Sequence, residues 1–280
     1  MLKRLFGSKP PEETGVAAPQ SSPQLDWSGE GVQQALRHRR AGESALPAGG
    51  RIACGGIDWN EAEQLALLRQ GIAPNAAEAR TAWERLQDRA ALSLADAVVL
   101  HALVAHLQPT RIMEVGCGAT TWMLRAGLAS RNLPGELIAI DPEPRRDVTE
   151  AVDAELNQPV QELPRSDFEM LRANEMLVLD LTHVTLPAGE VLHLYQHVLP
   201  HLQPGVLVGV RGVRLPFDYS SEERAQGWTE QALLQMFLTG NSGARILHAG
   251  AWLTDTHGQA YRDALGGDPA GASWLWYRVC

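Results

Sequence analysis

Cysteine is scarce in this chain of 280 residues: Cys54, Cys117 and Cys280 are its only three. They are odd in number, far apart and form no Cys-x-x-Cys pair. That excludes a disulfide framework and a zinc-ribbon site, and it fits a reducing cytoplasm. Long hydrophobic runs are also missing. The most apolar helical stretch, Leu92 to Leu107, is interrupted by Asp96, His101 and His106, so no membrane span is expected. The opening "MLKRLFG" is too short for a signal-peptide core and lacks a cleavage site, so it reads as a solvated end. Positive charge is in deficit. The formal net charge is -9, which disfavours phosphate-backbone binding and hence a nucleic-acid partner. No internal repeat is present.

What is there divides into three parts. Residues 1–50 are rich in Pro, Gly, Ala, Ser and Gln without hydrophobic periodicity, which reads as a disordered tail. One helical piece is compatible with residues 31–40, whose "RHRR" reads as a solvated charge run. Residues 51–91 read as a helical, lid-like segment. Asn60 with Glu63, and Asn75 with Glu78, stand at capping-box spacing, and Ser93 with Asp96 opens a third helix, "LADAVVLHALVAHL". From residue 92 onward short apolar runs alternate with helical or turn-rich segments. The runs are "RIMEV" (111–115), "ELIAI" (136–140), "PVQEL" (159–163), "EMLVLD" (175–180) and "GVLVGVR" (205–211). This alternation predicts a parallel sheet covered on both faces. "ARILHA" (244–249) and "SWLWYRV" (273–279) follow a helix at about 229–239. Only a Gly-rich polar loop is expected between these two strands, so they read as an antiparallel hairpin. The fold class is therefore α/β, Rossmann-like, with seven strands, the last antiparallel.

In such a sheet, ligands bind beyond the carboxyl ends of the strands. After the first strand comes "EVGCGATTWML". Gly116 and Gly118 permit a tight turn, and the amides of Ala119, Thr120 and Thr121 open a helix. Asp141 ends the second strand, where a carboxylate can accept hydrogen bonds from a ribose diol. Thr121 stands where the dinucleotide fingerprint has its third glycine, which argues against pyrophosphate and a nicotinamide-dependent oxidoreductase. Glu114 suits a cationic ligand better, and S-adenosylmethionine carries both an ammonium and a sulfonium.

With these residues on the page, the chain from about Leu92 to the C-terminus resembles the class I S-adenosylmethionine-dependent methyltransferases. The likeness is to a bacterial subgroup whose cofactor loop is of the Gly-Ser-Gly-Tyr-Ser-Thr type. Here that loop reads Gly116-Cys117-Gly118-Ala119-Thr120-Thr121. "LADAVV", "AIDPEPR", "NEMLVLDLTHV", "LPHLQPGVLVGVRGVRLPFDY", "TEQALLQMFLTGN" and "GASWLWYRV" continue the resemblance. It implies S-adenosyl-L-methionine as methyl donor, held by Glu114, Gly116, Gly118, Thr120, Thr121, Asp141 and Asp180. It also implies methyl transfer to an oxygen of a small molecule or saccharide.

The subgroup's fifth strand ends on His-Asp, and its aspartate is a catalytic or metal-facing group. This chain has Arg211-Gly212 there, which offers no metal ligand and keeps open the alternative of a catalytically impaired binding or scaffold protein. Asp180-Leu181-Thr182-His183 loosely preserves an Asp-Ser-Ser-His pattern. His183 reads as a general base or as a loop-closing residue, with Asp180 beside it. Arg211 neutralises Asp180, grips an anionic substrate or makes a structural pair. Tyr219 is a further substrate-side candidate. His193, His197 and His201 are spaced like metal ligands, but Val191, Leu194, Tyr195, Val198, Leu199 and Leu202 form the core stripe, which turns the histidines to solvent. Trp274 and Trp276 read as sheet-packing groups.

Overall fold

The computed structural model describes residues 47–86, 91–132 and 134–280. The expected tail, with its helix at residues 31–40, lies outside the described residues, apart from 47–50. Residues 48–280 make up one unit.

The strands are β1 (Arg111–Val115), β2 (Glu136–Ile140), β3 (Ala154–Leu156), β4 (Met176–Leu179), β5 (Leu207–Val210), β6 (Ala244–Ala249) and β7 (Leu275–Val279). They form one sheet in the order β3-β2-β1-β4-β5-β7-β6. β1 to β5 pair in parallel, and β7 runs antiparallel to both β5 and β6. Every residue of β4 and β5 is buried. That explains why their sequences are continuous apolar runs rather than alternating ones. The chain winds outward in both directions from between β1 and β4, so a crevice opens at their carboxyl ends.

The helices are α1 (Glu61–Leu67), α2 (Ala76–Glu84), α3 (Leu94–Leu107), α4 (Ala119–Ser130), α5 (Arg165–Phe168), α6 (Glu190–His193), α7 (Ser221–Ala225), α8 (Glu230–Leu238), α9 (Gly250–Thr256) and α10 (Gly258–Leu265). α3 is buried all round from Ala95 to Ala105, which is why it lacks an amphipathic stripe. Ser93 caps it as expected, its hydroxyl accepting the Asp96 amide at 3.0 Å.

The other two expected caps are not made. Asn60 adopts a left-handed conformation, and its side-chain amide donates to Glu63 Oε2 at 2.6 Å and to the Ile246 carbonyl at 2.9 Å. Asn75 donates back to the Gly71 carbonyl and accepts from Arg131. Two further expectations are corrected. "PVQEL" is a 3-10 turn (Val160–Glu162), and the third strand is Ala154–Leu156, a short edge strand. The segment between β6 and β7 holds α9 and α10 rather than a plain loop.

The stripe Val191, Leu194, Tyr195, Val198, Leu199 and Leu202 is buried, as are Trp274 and Trp276. Residues 49–56 lie across the exit of β5. Gly49 N–H donates to the Tyr219 carbonyl, Ile52 N–H to Pro216 and Asp218 N–H to Gly50. Gln235 in α8 reaches the Ala53 carbonyl, and Gly240 N–H bonds to the Gly56 carbonyl.

Candidate active site

The turn after β1 presses against the end of β4. Gly116 has φ 83°, and a Cβ there would lie 2.0 Å from the Asp180 carbonyl oxygen, so no other residue fits. The loop then closes on itself. Thr121 Oγ1 accepts the Gly118 amide at 3.0 Å as α4 begins. Asp141, at the end of β2, accepts the Cys117 amide on one oxygen at 2.8 Å and the Glu143 amide on the other at 2.9 Å. Asp141, expected to accept from a ribose diol, thus also shapes the glycine loop. Each of its oxygens still has a lone-pair direction left for a donor.

Glu114 is fully buried, and neither of its carboxylate oxygens has a hydrogen-bond partner among the described residues. Burial pushes its pKa up to about 8. The Thr120 and Thr121 hydroxyls and Arg145 pull it down, while Asp180 adds to the rise. The Thr120 hydroxyl is likewise buried without a completed bond. An unpaired buried carboxyl of this kind favours its neutral form until a cation approaches. Cys117, beside it, is buried, and desolvation pushes its thiol far up, which makes it inert.

Asp180 is buried between two guanidinium groups. Arg145 Nη2 lies 2.7 Å and Arg211 Nη1 2.9 Å from the same carboxylate oxygen, Oδ2. Arg145 also bonds the carbonyls of Asp180 at 3.1 Å and Cys117 at 3.4 Å, so it spans the glycine loop and the end of β4. Arg211 donates to the Ala91 carbonyl at 2.6 Å and lies 3.8 Å from Asp96 Oδ2. Burial lowers the Arg211 pKa, but Asp180 and Asp96 outweigh it and hold the group above its ordinary value. Asp96 is more than a cap partner: its carboxylate accepts from the Ser273 amide and hydroxyl and from the Trp274 amide. Of the three roles open to Arg211, the structure shows the pairing with Asp180.

His183 lies just beyond Asp180 with φ 63° and is buried. Its Nδ1 is 2.8 Å from Glu230 Oε2, and its ring packs on Trp228 with centroids 4.1 Å apart. Burial pushes Glu230 up, and the His183 partner pulls it back. Tyr219 is buried and packs edge-on against Trp228, with ring centroids 5.5 Å apart. Its hydroxyl accepts the Gln231 amide at 3.1 Å, and burial pushes its pKa up. Tyr219 lines neither of the cavities described next.

A cavity of about 460 Å³ sits over the crevice, lined by Val115, Gly116, Ile140, Asp141, Arg145 and Asp180 on one side and Pro159 to Gln161 on the other. A second, of about 680 Å³, opens beyond the β5 exit loop and α9, with Phe217 and Trp228 among its walls. Among the described residues no group of three or more His, Cys, Asp or Glu is placed to hold a metal ion.

Residues 113–210, about a third of the chain, match the family model described as "Methyltransferase domain". Over that stretch the chain is similar to a methyltransferase domain. The match runs from β1 to the end of β5, so it takes in the glycine loop, Asp141, Asp180 and His183. Among solved structures, the chain is similar to the SAH-bound Podospora anserina methyltransferase PaMTH1. Identity is 13%, over 95% of this chain and 100% of that one, with a TM-score of 0.43. It is also similar to the O-methyltransferase TomG from Streptomyces achromogenes in complex with SAM (18% identity, 79% of this chain and 96% of that one, TM-score 0.42). A third is the plantazolicin methyltransferase BpumL with SAH and a pentazolic desmethylPZN analog (13% identity, 79% and 99%, TM-score 0.42). A search of curated protein sequences returns no significant match.

Sequence patterns alone did not reveal Arg145, Glu230 or the part played by Asp96. Arg145 follows the β2 acid by four positions, inside "AIDPEPR", so its place near the crevice was readable. Glu230 carried no signal, because only the tertiary fold brings the start of α8 to His183.

Proposed function

We propose that this chain transfers a methyl group from S-adenosylmethionine to a hydroxyl oxygen of a small molecule or sugar. The observation that carries this reading is the crevice itself. Two acids and an unpaired buried carboxyl surround a backbone turn where only glycine fits, under a cavity of about 460 Å³. That volume suits a nucleoside-sized ligand. Asp141 would hold the ribose diol, while Ile140, Pro142, Pro159 and Val160 supply apolar walls for a planar base. Gly116, Gly118, Thr120 and Thr121 keep the loop close to the ligand, and Glu114 and Asp180 face its ammonium. Bound there, S-adenosylmethionine supplies an electrophilic methyl carbon on a sulfonium. The chain's own contribution is orientation and the exclusion of water. Asp180 and His183 are the catalytic candidates beside that site. The Arg211–Ala91 bond supports the reading of residues 51–91 as a cover tied to the rim. The three unpaired cysteines are consistent with a reducing cytoplasm. Among the described residues no helix is long and apolar enough to cross a membrane.

Calorimetry with S-adenosylmethionine, S-adenosylhomocysteine and NAD tests the cofactor. The two adenosyl ligands should bind and NAD should not. Asp141→Ala should weaken binding by at least about tenfold, equivalent to about 1.4 kcal/mol; an unchanged Kd would show that the cofactor lies elsewhere. One observation favours a second reading, a binding or scaffold protein without turnover: both guanidinium groups are tied to Asp180. A labelled-methyl screen over sugar and small-molecule hydroxyls separates the two readings.

A further inference from the structure

Three elements that are distant in sequence meet at the His183 ring. The loop after β4 presents the imidazole, the first turn of α8 presents Glu230, and the exit of β5 presents Gly212. We propose that His183 and Glu230 form the proton-accepting dyad of the acceptor site, with Gly212 as its seat. The assignment rests on the methyl-transfer reading above.

Gly212 has φ 75°, and a Cβ there would stand 2.6 Å from His183 Cε1, 2.8 Å from Nε2 and 2.9 Å from Nδ1. A side chain at position 212 and the ring in its observed place exclude one another. The departure from the expected aspartate is therefore what makes room for the histidine. Trp228 covers the ring on another side. The backbone is fixed as firmly: the amides of Thr229 and Glu230 both donate to the His183 carbonyl, at 2.8 and 3.1 Å. A non-glycine residue in the left-handed region is strained, and such residues gather at functional sites. These bonds hold His183 there.

The polarity of the pair is defined. Glu230 Oε2 faces Nδ1, and Oε1 takes the Tyr195 hydroxyl at 3.3 Å. Nε2 has no hydrogen-bond partner among the described residues and is not sealed from solvent. His183 itself lines neither cavity, but its chain neighbour Thr182 lines the smaller and Trp228, packed on its ring, lines the larger. Glu230 holds the Nδ1 proton and leaves the Nε2 lone pair outward, which is the arrangement a base requires. As the acceptor oxygen gains the methyl carbon, the carbon–sulfur electron pair stays on sulfur and the hydroxyl proton passes to Nε2. Glu230 then faces an imidazolium. The charged and titratable groups bearing on the pair are Tyr195 and Tyr219 on Glu230 and, at longer range, Glu190.

Diethyl pyrocarbonate acylates an unprotonated imidazole nitrogen that solvent reaches, so peptide mapping of the whole chain reads the dyad without an acceptor. His183 should be modified, with a rate that rises with pH to a plateau. At that plateau Glu230→Gln should slow the reaction about fivefold through lost basicity, and Glu230→Asp should restore part of it. A purely structural Glu230 predicts the opposite sign, because loosening the packing exposes the ring and speeds modification. An unreactive His183 in the unaltered chain, or a plateau rate that is unchanged or faster in Glu230→Gln, overturns the proposal. Calorimetry with S-adenosylhomocysteine on the same samples separates the two layers. Binding with a dyad that fails these tests removes only the dyad, whereas absent binding removes the methyl-transfer reading and the dyad's role with it.

Discussion

Glu114 is the residue whose environment departs most from what its type prefers. Its carboxyl titrates near the ordinary 4.5 when unfolded and near 8 when folded, so the folded state holds the proton more tightly across that window. The native state then binds more protons, and stability declines as pH rises from about 4.5 to 8, by up to about 1.4 kcal/mol per unit. Glu114→Gln is neutral throughout and lacks this slope. Urea unfolding at pH 5.5 and 7.5 should show the variant gaining on the parent chain as pH rises. A constant difference would mean that the carboxyl is ionised in the fold. Arg211 presents the complementary case. Arg211→Met leaves Asp96 without its nearest cation and removes one of the two that flank Asp180, which should cost about 2–4 kcal/mol. A loss below about 0.5 kcal/mol would show that Arg145 alone suffices for Asp180. At this scale the sequence showed which residues gather at the crevice, because strand ends and glycine turns are local signals. It showed their partners poorly. Arg211–Asp180 was readable because both terminate neighbouring strands, while Glu230–His183 depends on how α8 docks.

Helix and strand signals were legible in proportion to their length and regularity. β1, β2, β4 and β5 stood out as apolar runs, since each is buried on both faces. β3 has three residues, too few for any period to show, and the neighbouring "PVQEL" imitated a strand better than the strand did. The α9–α10 pair was hidden for a related reason. Its buried Trp252, Leu253, Tyr261, Ala264 and Leu265 are split between two short helices with Gly258 at the junction. Caps separate in the same way. Ser93 has an extended backbone and no competing partner for its acceptor role, so it caps α3. Asn60 and Asn75 carry side-chain amides that find carbonyls elsewhere. Ser93→Ala should therefore cost about 1 kcal/mol. Asn60→Ala should act through the lost tether to β6 rather than through α1. Hydrogen exchange separates these effects: the first should speed exchange at the start of α3, the second beside Ile246. Equal exchange in both variants would contradict the distinction.

Across the molecule, residues 49–56 knit the β5 exit loop, α8 and α9 together. Arg51 pairs with Asp255 at 2.5 Å, in addition to the five hydrogen bonds that cross the strap. Removing the strap deletes contacts worth about 1 kcal/mol each but also the ordering cost of its residues, so the net loss is at most a few kcal/mol. A chain lacking residues 1–57 should melt about 5–10 °C below one lacking only 1–47. Equal melting temperatures would show the strap to be decorative. A different whole-molecule consequence follows from Asp180 lying between two guanidinium groups in a chain of net charge -9. The crevice behaves as a small ion exchanger stored with its counter-ion. A cationic ligand entering it competes with Arg145 rather than with water, so its affinity reflects the difference between two cations and is buffered against overly tight binding.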